Sequence, residues 1–519
     1  MIQFLVPQIT LSPENEMSEC STTKCVFAVF AIPDTAFYFY LWVTKHEGKD
    51  FSKDIRYAFM PVSPIEFRYG REEVKNIFSE ESRFGYLLKV ERAIAQAESE
   101  FKVIPREAYE SIATVIDSGN VSLNRMKEIE SETRHDIAAL VKAISEQCPE
   151  NGDYVHFGAT SNDIDDSATA LQIKNFLSYL EDDLLRFQET LASLVLRYKN
   201  TPMLGRTHGQ HASPITFGLK LSVYLTEMNR NVERLLQSYK RIIAGKLSGP
   251  VGTGASLGPD FLKIQERAME ILGISADVPA NQVVDRDRYI EFLSLINLIA
   301  TLLEKIGTEI RNLQRPEIGE VSEYFDTSRQ IGSSSMPSKV NPINSENVVS
   351  LARFIRSLII SEYEAAVTWH ERDLTNSASE RFVIPYACIL TDHILTKMTS
   401  VLETLKVDDK KMLDNLLSDD FTLSEEYVTV LTSLGVPRQT AHELVRSSAM
   451  YANARGISLK QAILKNREVP RDVVARLPKI DDPTKFVGHS RELCDLALKD
   501  WIKTKSTLME GKKGGKIQR

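Results

Sequence analysis

The sequence has few cysteines and lacks the short motifs of common cofactor and metal sites. Its five cysteines among 519 residues are odd in number and, apart from Cys20 and Cys25, far apart. This spacing fits neither a disulfide framework nor a zinc site, and it favours a reducing compartment such as the cytoplasm. GxGxxG and GxxxxGK(S/T) patterns are absent, which argues against a dinucleotide-binding fold and a P-loop. HExxH and calcium-loop patterns are absent too, so we expect no metal centre.

An excess of positive charge is also lacking. The formal net charge is −8 and the pI is near 5.8, whereas general nucleic-acid binding needs a basic face. Apolar residues make up 43% of the chain and charged residues 26%, which are proportions typical of folded soluble proteins. We therefore expect no nucleic-acid partner, and any anionic ligand must meet a local cluster of positive groups.

The N-terminal stretch has no amphipathic helical pattern. Cys25–Thr44 is apolar and aromatic, but Pro33 and Asp34 interrupt it, and a membrane span needs about 20 apolar residues with few interruptions. A signal peptide needs an early basic region, yet Lys24 is the first basic residue. A membrane anchor is therefore the less favoured interpretation. We expect Met60 to be the natural start, and the stretch before it to be an over-extended gene model or a poorly ordered leader.

Long amphipathic helices dominate the chain from about Ser79 onward, because apolar residues return every three or four positions. On a helix, such residues form an apolar stripe along one face. Three of these apolar stripes are unusually long and span Leu171–Leu194, Leu221–Leu235 and Phe292–Leu313. Strand signals are scarce. Helices of this length pack side by side, so the sequence predicts an all-α fold built on a long-helix bundle, with smaller helical N- and C-terminal parts.

Changes in composition divide the chain into five segments. Residues 1–59 form the leader, 60–165 an N-terminal helical domain, and 166–407 the central bundle with a candidate reactive loop. A stretch rich in acidic residues and lysine opens a smaller helical domain, 408–505. The remaining residues, 506–519, form a basic tail whose glycine-rich end is expected to be disordered.

The candidate reactive loop, Gly332–Pro342, reads GSSSMPSKVNP and lies between two helical runs. On composition alone it is a solvated, flexible connection. However, Lys339, Asn341 and Asn347 stand close in sequence to its three hydroxyl groups. Such a loop can bind carboxylates and close over a substrate to exclude water.

A second candidate element, Gly205–Gly218, reads GRTHGQHASPITFG and leads directly into the second long helix. His208 lies between Thr207 and Gly209, and small residues let a ligand approach the backbone. The ordinary histidine pKa of about 6.5 suits proton exchange near neutrality. By spacing alone, His211 is an equally good candidate.

Two further polar segments precede the first long helix. They are SETRHDIAAL at Ser131–Leu140 and VHFGATSNDI at Val155–Ile164. The first is equally well explained as a surface ion pair, which stabilises a protein very little. The second is explained as a helix cap, although a helix N-terminus also favours an anion.

In this order, the four segments resemble the aspartase/fumarase superfamily, whose shared loop has the form GSSxMPxKxNP. Within it, FRYG (Phe67–Gly70), TRHD (Thr133–Asp136), HFGATSND, RTHGQ and WHERDLTNSASER (Trp369–Arg381) resemble the adenylosuccinate lyase family. The similarity runs from about residue 60 to residue 505. Ser338 departs from the family pattern, since the family commonly has histidine or glutamine there, and the leader has no recognised counterpart.

The resemblance implies an enzyme without a cofactor that releases fumarate from adenylosuccinate and from the succinyl-carboxamide ribotide of purine synthesis. It assigns the general base to Ser333 and the general acid to His208. It also implies a homotetramer in which each active site combines segments from three subunits. The other family positions map to substrate contacts at Arg68, Tyr69, Arg134, His135, Asp136, His156, Thr160, Ser161, Gln282, Ser334, Lys339, Asn341, Asn347, Ser377 and Arg381.

Other members of the superfamily are the nearest alternatives. Argininosuccinate lyase should show a GRSRND-like segment instead of GATSND, and carboxymuconate cycloisomerases generally lack the THGQ histidine. A catalytically silent structural oligomer should have lost Ser333, His208 or Lys339, and all three are present. The sequence therefore favours a fumarate-releasing lyase.

Overall fold

The first elements of the structure are two short strands. In this computed structural model the backbone is described for residues 25–31, 38–44, 62–326, 328–480 and 482–513. β1 (Cys25–Ala31) pairs antiparallel with β2 (Tyr38–Thr44), and the rest of the predicted leader lies outside these ranges. No helix within them is both long enough and apolar enough to cross a membrane.

Helices make up most of the remaining chain. In chain order they are α1 (Pro64–Phe67), α2 (Glu72–Ile77), α3 (Glu80–Glu100), α4 (Arg106–Asp117), α5 (Leu123–Thr133), α6 (Asp136–Ser145), α7 (Ser161–Tyr198), α8 (Phe217–Ile242), α9 (Phe261–Leu272), α10 (Asp287–Leu313), α11 (Ile343–Ala365), α12 (Ser377–Glu403), α13 (Asp409–Leu417), α14 (Ser424–Ser433), α15 (Arg438–Arg455), α16 (Leu459–Lys465), α17 (Arg471–Arg476) and α18 (Ser490–Lys513). Short strands lie between them, namely β3 (Pro202–Thr207), β4 (Gln210–Thr216), β5 (Ala244–Gly245), β6 (Ser275–Ala276), β7 (Val321–Ser322) and β8 (Lys406–Val407). β3 pairs with β4 and β7 with β8 in antiparallel fashion, whereas β5 and β6 are parallel.

The three predicted apolar stripes form the long helices α7, α8 and α10. α7 has 38 residues, and the Thr160 N–H at its start donates to Asp163 Oδ2 at 2.8 Å. This capping satisfies a backbone donor that the first helical turn would otherwise leave unpaired. The stripe of α7 faces inward, since Phe176, Leu184 and Leu191 are all fully buried.

The long helices pack lengthwise into a bundle. α10 packs along α8, α11 and α12, while α7 packs against α8, α12 and α18. Between α7 and α10, the rings of Phe176 and Phe292 meet edge to face with centroids 6.2 Å apart, a favoured arrangement of aromatic pairs. Phe78 adds a third ring 6.5 Å from Phe176.

Two smaller groups of buried apolar side chains accompany the bundle. One joins α3 to α6 with α9 and the first turns of α7, and the other joins α14 to α17. They correspond to the smaller helical N- and C-terminal parts expected from the sequence. The all-α, long-helix fold class is therefore confirmed, while the divisions at residues 165 and 407 stay predictions.

The ends of the described chain have two notable features. The chain forms two compact units, Met1–Arg68 and Tyr69–Arg519, so the FRYG motif spans the division. α18 continues to Lys513, beyond the predicted start of the tail at residue 506. It does so because Leu508 is fully buried and continues the apolar face of the helix.

Phe176→Ala should lower the free energy of unfolding by about 3 to 5 kcal/mol, because it removes a buried ring and leaves a cavity between α7 and α10. Chemical denaturation measures this change. Leu196→Ala on the same helix is the control, since Leu196 is 59% exposed, and it should cost less than about 1 kcal/mol. Equal losses in the two variants would contradict the inward orientation of Phe176.

Candidate active site

The predicted general acid, His208, lies at the tip of a β-hairpin. β3 ends at Thr207 and β4 begins at Gln210, so His208 and Gly209 form a two-residue turn. Both turn residues have positive φ, 54° and 73°, as in the type I′ turns that match the twist of paired strands. This hairpin was not predicted from the sequence, which indicated a direct entry into α8. The turn leaves His208 exposed.

The second histidine of this segment is held by a nearby carboxyl group. His211 Nδ1 lies 2.7 Å from Asp419 Oδ2, and Ser213 Oγ donates to Glu425 Oε2 at 2.6 Å. Among the described residues, the His208 ring has no such partner. The structure thus distinguishes the two histidines: His211 ties β4 to the segment around α14, and His208 is left at the surface.

The predicted general base, Ser333, accepts hydrogen bonds from its own loop. Its Oγ accepts from the backbone N–H groups of Ser335 and Met336, at 3.3 and 3.1 Å. Donors aimed at a hydroxyl oxygen stabilise negative charge on that oxygen. Two backbone N–H groups therefore point at the Ser333 oxygen.

The reactive loop closes on itself. Asn341 Nδ2 donates to the Gly332 carbonyl at 2.9 Å, which joins the two ends of the loop. A Cβ at Gly332 would lie only 1.9 Å from the Lys339 carbonyl oxygen, so no larger residue fits there. Ser334 and Lys339 are exposed.

A buried carboxylate anchors the C-terminal end of this loop. Glu323 accepts from the backbone N–H groups of Asn344 and Ser345 at 3.1 and 2.5 Å, and from Asn344 Nδ2 at 3.1 Å. These N–H groups belong to the first turn of α11, which has no intrahelical acceptors for them. Glu323 is 4% exposed, so the point where the loop enters α11 is fixed.

A first cavity of about 540 Å³ brings together four predicted substrate contacts. It is lined by His135, His156, Thr160 and Ser161, with Lys142 at its edge. Thr160 and Ser161 form the N-terminus of α7, where backbone N–H groups and the helix dipole favour an anion. Two histidines and a lysine beside a helix N-terminus suit a negatively charged ligand group.

His156 has a buried partner that the sequence did not reveal. Its Nδ1 lies 2.8 Å from Oε1 of Glu91, which is 2% exposed. Burial lowers the pKa of His156, but Glu91, together with Asp163 and Asp165, raises this pKa above the ordinary value. Burial, followed by the charge of Glu91, raises the pKa of the nearby Glu98 to about 9. Glu98 is therefore neutral at pH 7, and Glu91 is the carboxylate that faces the imidazole.

The TRHD motif forms the corner between α5 and α6. Arg134 ends α5 in the left-handed conformation, with φ of 55°. His135 caps α6, since its Nδ1 accepts from the Ala138 N–H at 3.2 Å. Asp136 Oδ2 accepts from Arg381 Nη2 of α12 at 3.2 Å. The corner therefore points His135 and Asp136 into two different cavities.

A second cavity of about 370 Å³ contains Asp136, Ser377 and Arg381. Arg372 also lines it and contacts Gln282, with Nη1 3.4 Å from Oε1. Arg372 was not among the sequence candidates, although it lies inside the quoted WHERDLTNSASER motif. Arg372 and Arg381 are two of the four arginines that line this cavity, which six acidic side chains also line. A guanidinium group can donate a fork of hydrogen bonds to a phosphate or carboxylate.

Tyr69 and Asn347 both contact His393. The Tyr69 and His393 rings have centroids 5.2 Å apart, and His393 Nε2 lies 3.3 Å from Asn347 Oδ1. Burial, helped by the charges of Lys397 and Lys75, lowers the pKa of His393 to about 4, so it is neutral at pH 7. His393 had no signal in the sequence, because it stands alone within a helix and outside any motif.

The structure gathers the predicted residues into separate groups. Within the described part of the chain, no hydrogen bond or ion pair joins His208 to Ser333, or either of them to the residues that line the two cavities. Arg68 belongs to the other unit, where its N–H bonds the Pro64 carbonyl at 2.8 Å and ends α1. The residues that the structure describes include no cluster of three or more His, Cys, Asp or Glu side chains suited to a metal ion.

Solved structures of other enzymes share this fold. A fumarate lyase from Mesorhizobium sp. BNC1 has a TM-score of 0.74 and 26% identity, covering 83% of this chain and 98% of its own. A 3-carboxy-cis,cis-muconate lactonizing enzyme from Pseudomonas putida has a TM-score of 0.73 and 27% identity, covering 84% and 98%. Both confirm the long-helix architecture.

Sequence comparisons give a narrower assignment. A family model described as a lyase matches residues 64–356, and a model described as the C-terminus of adenylosuccinate lyase matches residues 420–497. The adenylosuccinate lyase of Methanothermobacter thermautotrophicus is 43% identical over 85% of this chain and 99% of its own length. That of Methanocaldococcus jannaschii is 42% identical over 85% and 96%. The chain is a lyase that belongs to the adenylosuccinate lyase family.

Proposed function

We propose that this chain breaks a carbon–nitrogen bond, releasing fumarate from adenylosuccinate to give AMP, and from succinylaminoimidazole carboxamide ribotide in purine biosynthesis. One observation carries the proposal: adenylosuccinate lyases are 42% to 43% identical over 84% to 85% of the chain. Similar structures with other names are 25% to 27% identical. Because one fold hosts several reactions, the closer relatives favour this substrate class.

Ser333 is the proposed base. It removes a proton from the carbon beside a substrate carboxylate, which requires a basic oxygen that ordinary serine lacks. The N–H groups of Ser335 and Met336 support this role, because they donate to the oxygen on which the negative charge must reside.

His208 is the proposed acid. Loss of the proton leaves an electron pair that is delocalised into the carboxylate as a dianionic aci-carboxylate, which Lys339 is suited to stabilise. When this pair forms the double bond of fumarate, the carbon–nitrogen bond breaks and its electrons pass to the nitrogen. A protonated His208 donates a proton to that nitrogen, so the proton taken by Ser333 and the proton given by His208 balance.

The two cavities suit the anionic groups of these substrates. His156 and the N-terminus of α7 offer positive charge and N–H donors in one cavity, and Arg372 and Arg381 offer guanidinium groups in the other. The proposal also keeps the substrate-binding role that the sequence predicts for the other contact residues, including Arg68, Tyr69, Gln282 and Asn347.

A shared active site is part of the proposal. The acid, the base and the cavities lie in separate groups within one chain, as expected if other copies complete each site. Exposed apolar residues on α11 support such assembly, with Phe354, Ile360 and Tyr363 between 45% and 64% exposed. Apolar surface of this kind marks interaction faces. We therefore propose a cytoplasmic homotetramer whose active sites combine segments of different subunits.

The purified protein should release fumarate from adenylosuccinate without added metal, because the proposed chemistry uses side chains and backbone donors alone. The falling absorbance of the succinylated purine measures the reaction. Argininosuccinate serves as the control substrate. Turnover of argininosuccinate in place of adenylosuccinate would contradict the proposed substrate class.

Ser333→Ala and His208→Gln should each lower kcat by about 100-fold or more, because each removes a group that transfers a proton in the reaction. Steady-state kinetics measure the effect, and circular dichroism checks the fold. Ser335→Ala keeps its backbone donor, and His211→Asn keeps a side-chain donor for Asp419, so both controls should retain most activity. A larger loss in His211→Asn than in His208→Gln would transfer the acid role to His211.

Glu91→Gln should reduce stability most at low pH, because Glu91 stabilises the protonated form of His156. The pKa of His156 is raised in the folded protein, so its contribution is complete below about pH 6.5 and is lost as the pH rises through the raised value. Chemical denaturation of both proteins between about pH 6 and pH 9 should show a narrowing stability difference. In a His156→Gln background this pH dependence should vanish below about pH 8, where Glu98 is still neutral. A difference that stays constant in the parent background would refute the charge pairing.

A further inference from the structure

A buried carboxylate holds the His208 hairpin close to its turn. Arg206 of β3 donates to Glu320 through both terminal nitrogens, with Nη2 to Oε1 at 2.7 Å and Nη1 to Oε2 at 3.0 Å. Glu320 is fully buried. Bidentate guanidinium–carboxylate pairs fix orientation as well as distance. The strand that leads to His208 is thus positioned against Glu320.

Glu320 also holds the element on the other side of the hairpin. Asn415 of α13 donates through Nδ2 to Glu320 Oε1 at 2.8 Å and to the Ile318 carbonyl at 2.9 Å. A single carboxylate therefore joins β3 and α13. Loss of its charge would weaken both contacts at once.

Three residues further on, Glu323 anchors the end of the reactive loop through Asn344 and Ser345. Four consecutive residues span at most about 11 Å. The two carboxylates that fix the hairpin and the loop are therefore close neighbours on one short segment.

The segment between these carboxylates is itself rigidly held. The Glu320 N–H donates to the Leu313 carbonyl, and the Glu320 carbonyl accepts from the Asp408 N–H, both at 3.0 Å. β7 pairs with β8, and the Glu323 N–H donates to Gln314 Oε1 at 3.0 Å. The two carboxylates therefore stand on one backbone segment that hydrogen bonds hold at both of its ends.

We propose that residues 320–323 form a bracket that couples the His208 hairpin to the Ser333 loop, and that Glu320 and Glu323 are positioning residues for the reaction. The catalytic part of this inference rests on the proposed function; the coupling does not. Neither carboxylate needs to touch the substrate. Each acts by holding the backbone that presents a reacting group, for which small displacements are costly.

Hydrogen exchange measured by mass spectrometry tests the coupling. Glu320→Gln and Glu323→Gln should each speed exchange about tenfold in both the hairpin and the loop, since each weakens a charge-assisted contact of the shared bracket. Faster exchange only in the element that the altered residue contacts would overturn the coupling. Unchanged exchange in both elements would also overturn it.

The matched control is Glu304→Gln. Glu304 is a largely buried carboxylate that pairs with Arg353 and Arg356 of α11, and among the described residues it forms no hydrogen bond or ion pair with the hairpin or loop. Its loss should leave exchange in both elements as in the parent protein. Accelerated exchange there in Glu304→Gln would show a general loosening and would count against the bracket.

Steady-state kinetics with adenylosuccinate test the positioning roles. Each bracket variant should lower kcat about 10- to 100-fold while KM stays within about twofold, and Glu320→Asp should recover part of the loss in Glu320→Gln because it restores the charge. Normal kcat in both bracket variants would overturn the positioning roles. If the parent protein lacks this activity, the proposed function fails, whereas the exchange experiment still decides the coupling.

Discussion

The buried carboxylate of Asp163 holds the junction on which both the bundle and the candidate site depend. It accepts from the N–H groups of Thr160, Ser248 and Gly249 at 2.8 to 3.1 Å and pairs with Lys246. Both members of this ion pair are fully buried, and removing one partner of such a pair typically costs about 3 to 5 kcal/mol. The N-terminus of the longest helix, and the cavity beside it, are thereby fixed to the chain that follows α8.

A similar arrangement recurs at two further points near candidate site residues. Asp166 accepts from the Val284 N–H at 2.8 Å and pairs with Arg286, and Glu323 accepts from the first turn of α11. In each case an acid captures backbone N–H groups of a segment that lacks regular hydrogen bonds of its own. Functional groups can then stand on loops and still be held as firmly as groups on helices.

The long helices could be predicted because their apolar period repeats over many turns. The hairpin could not, because its strands are short, Pro214 interrupts β4, and strand propensity depends on neighbours that the sequence does not show. Glu91 and His156 stand 65 positions apart, so no local pattern indicates their pairing. Likewise, the sequence alone does not distinguish His211 from His208. The contact of His211 with Asp419 in the structure does.

Gly332, Lys339 and Asn341 lie where the two ends of the loop meet, and this closure limits which substitutions the loop accepts. At Gly332 a side chain would clash with the Lys339 carbonyl oxygen. At Asn341 a residue without a side-chain donor would lose the hydrogen bond to the Gly332 carbonyl. By contrast, Ser334 and Ser338 are exposed, so their side chains can be exchanged without altering the closure. The unusual serine at position 338 therefore needs no compensating substitution elsewhere.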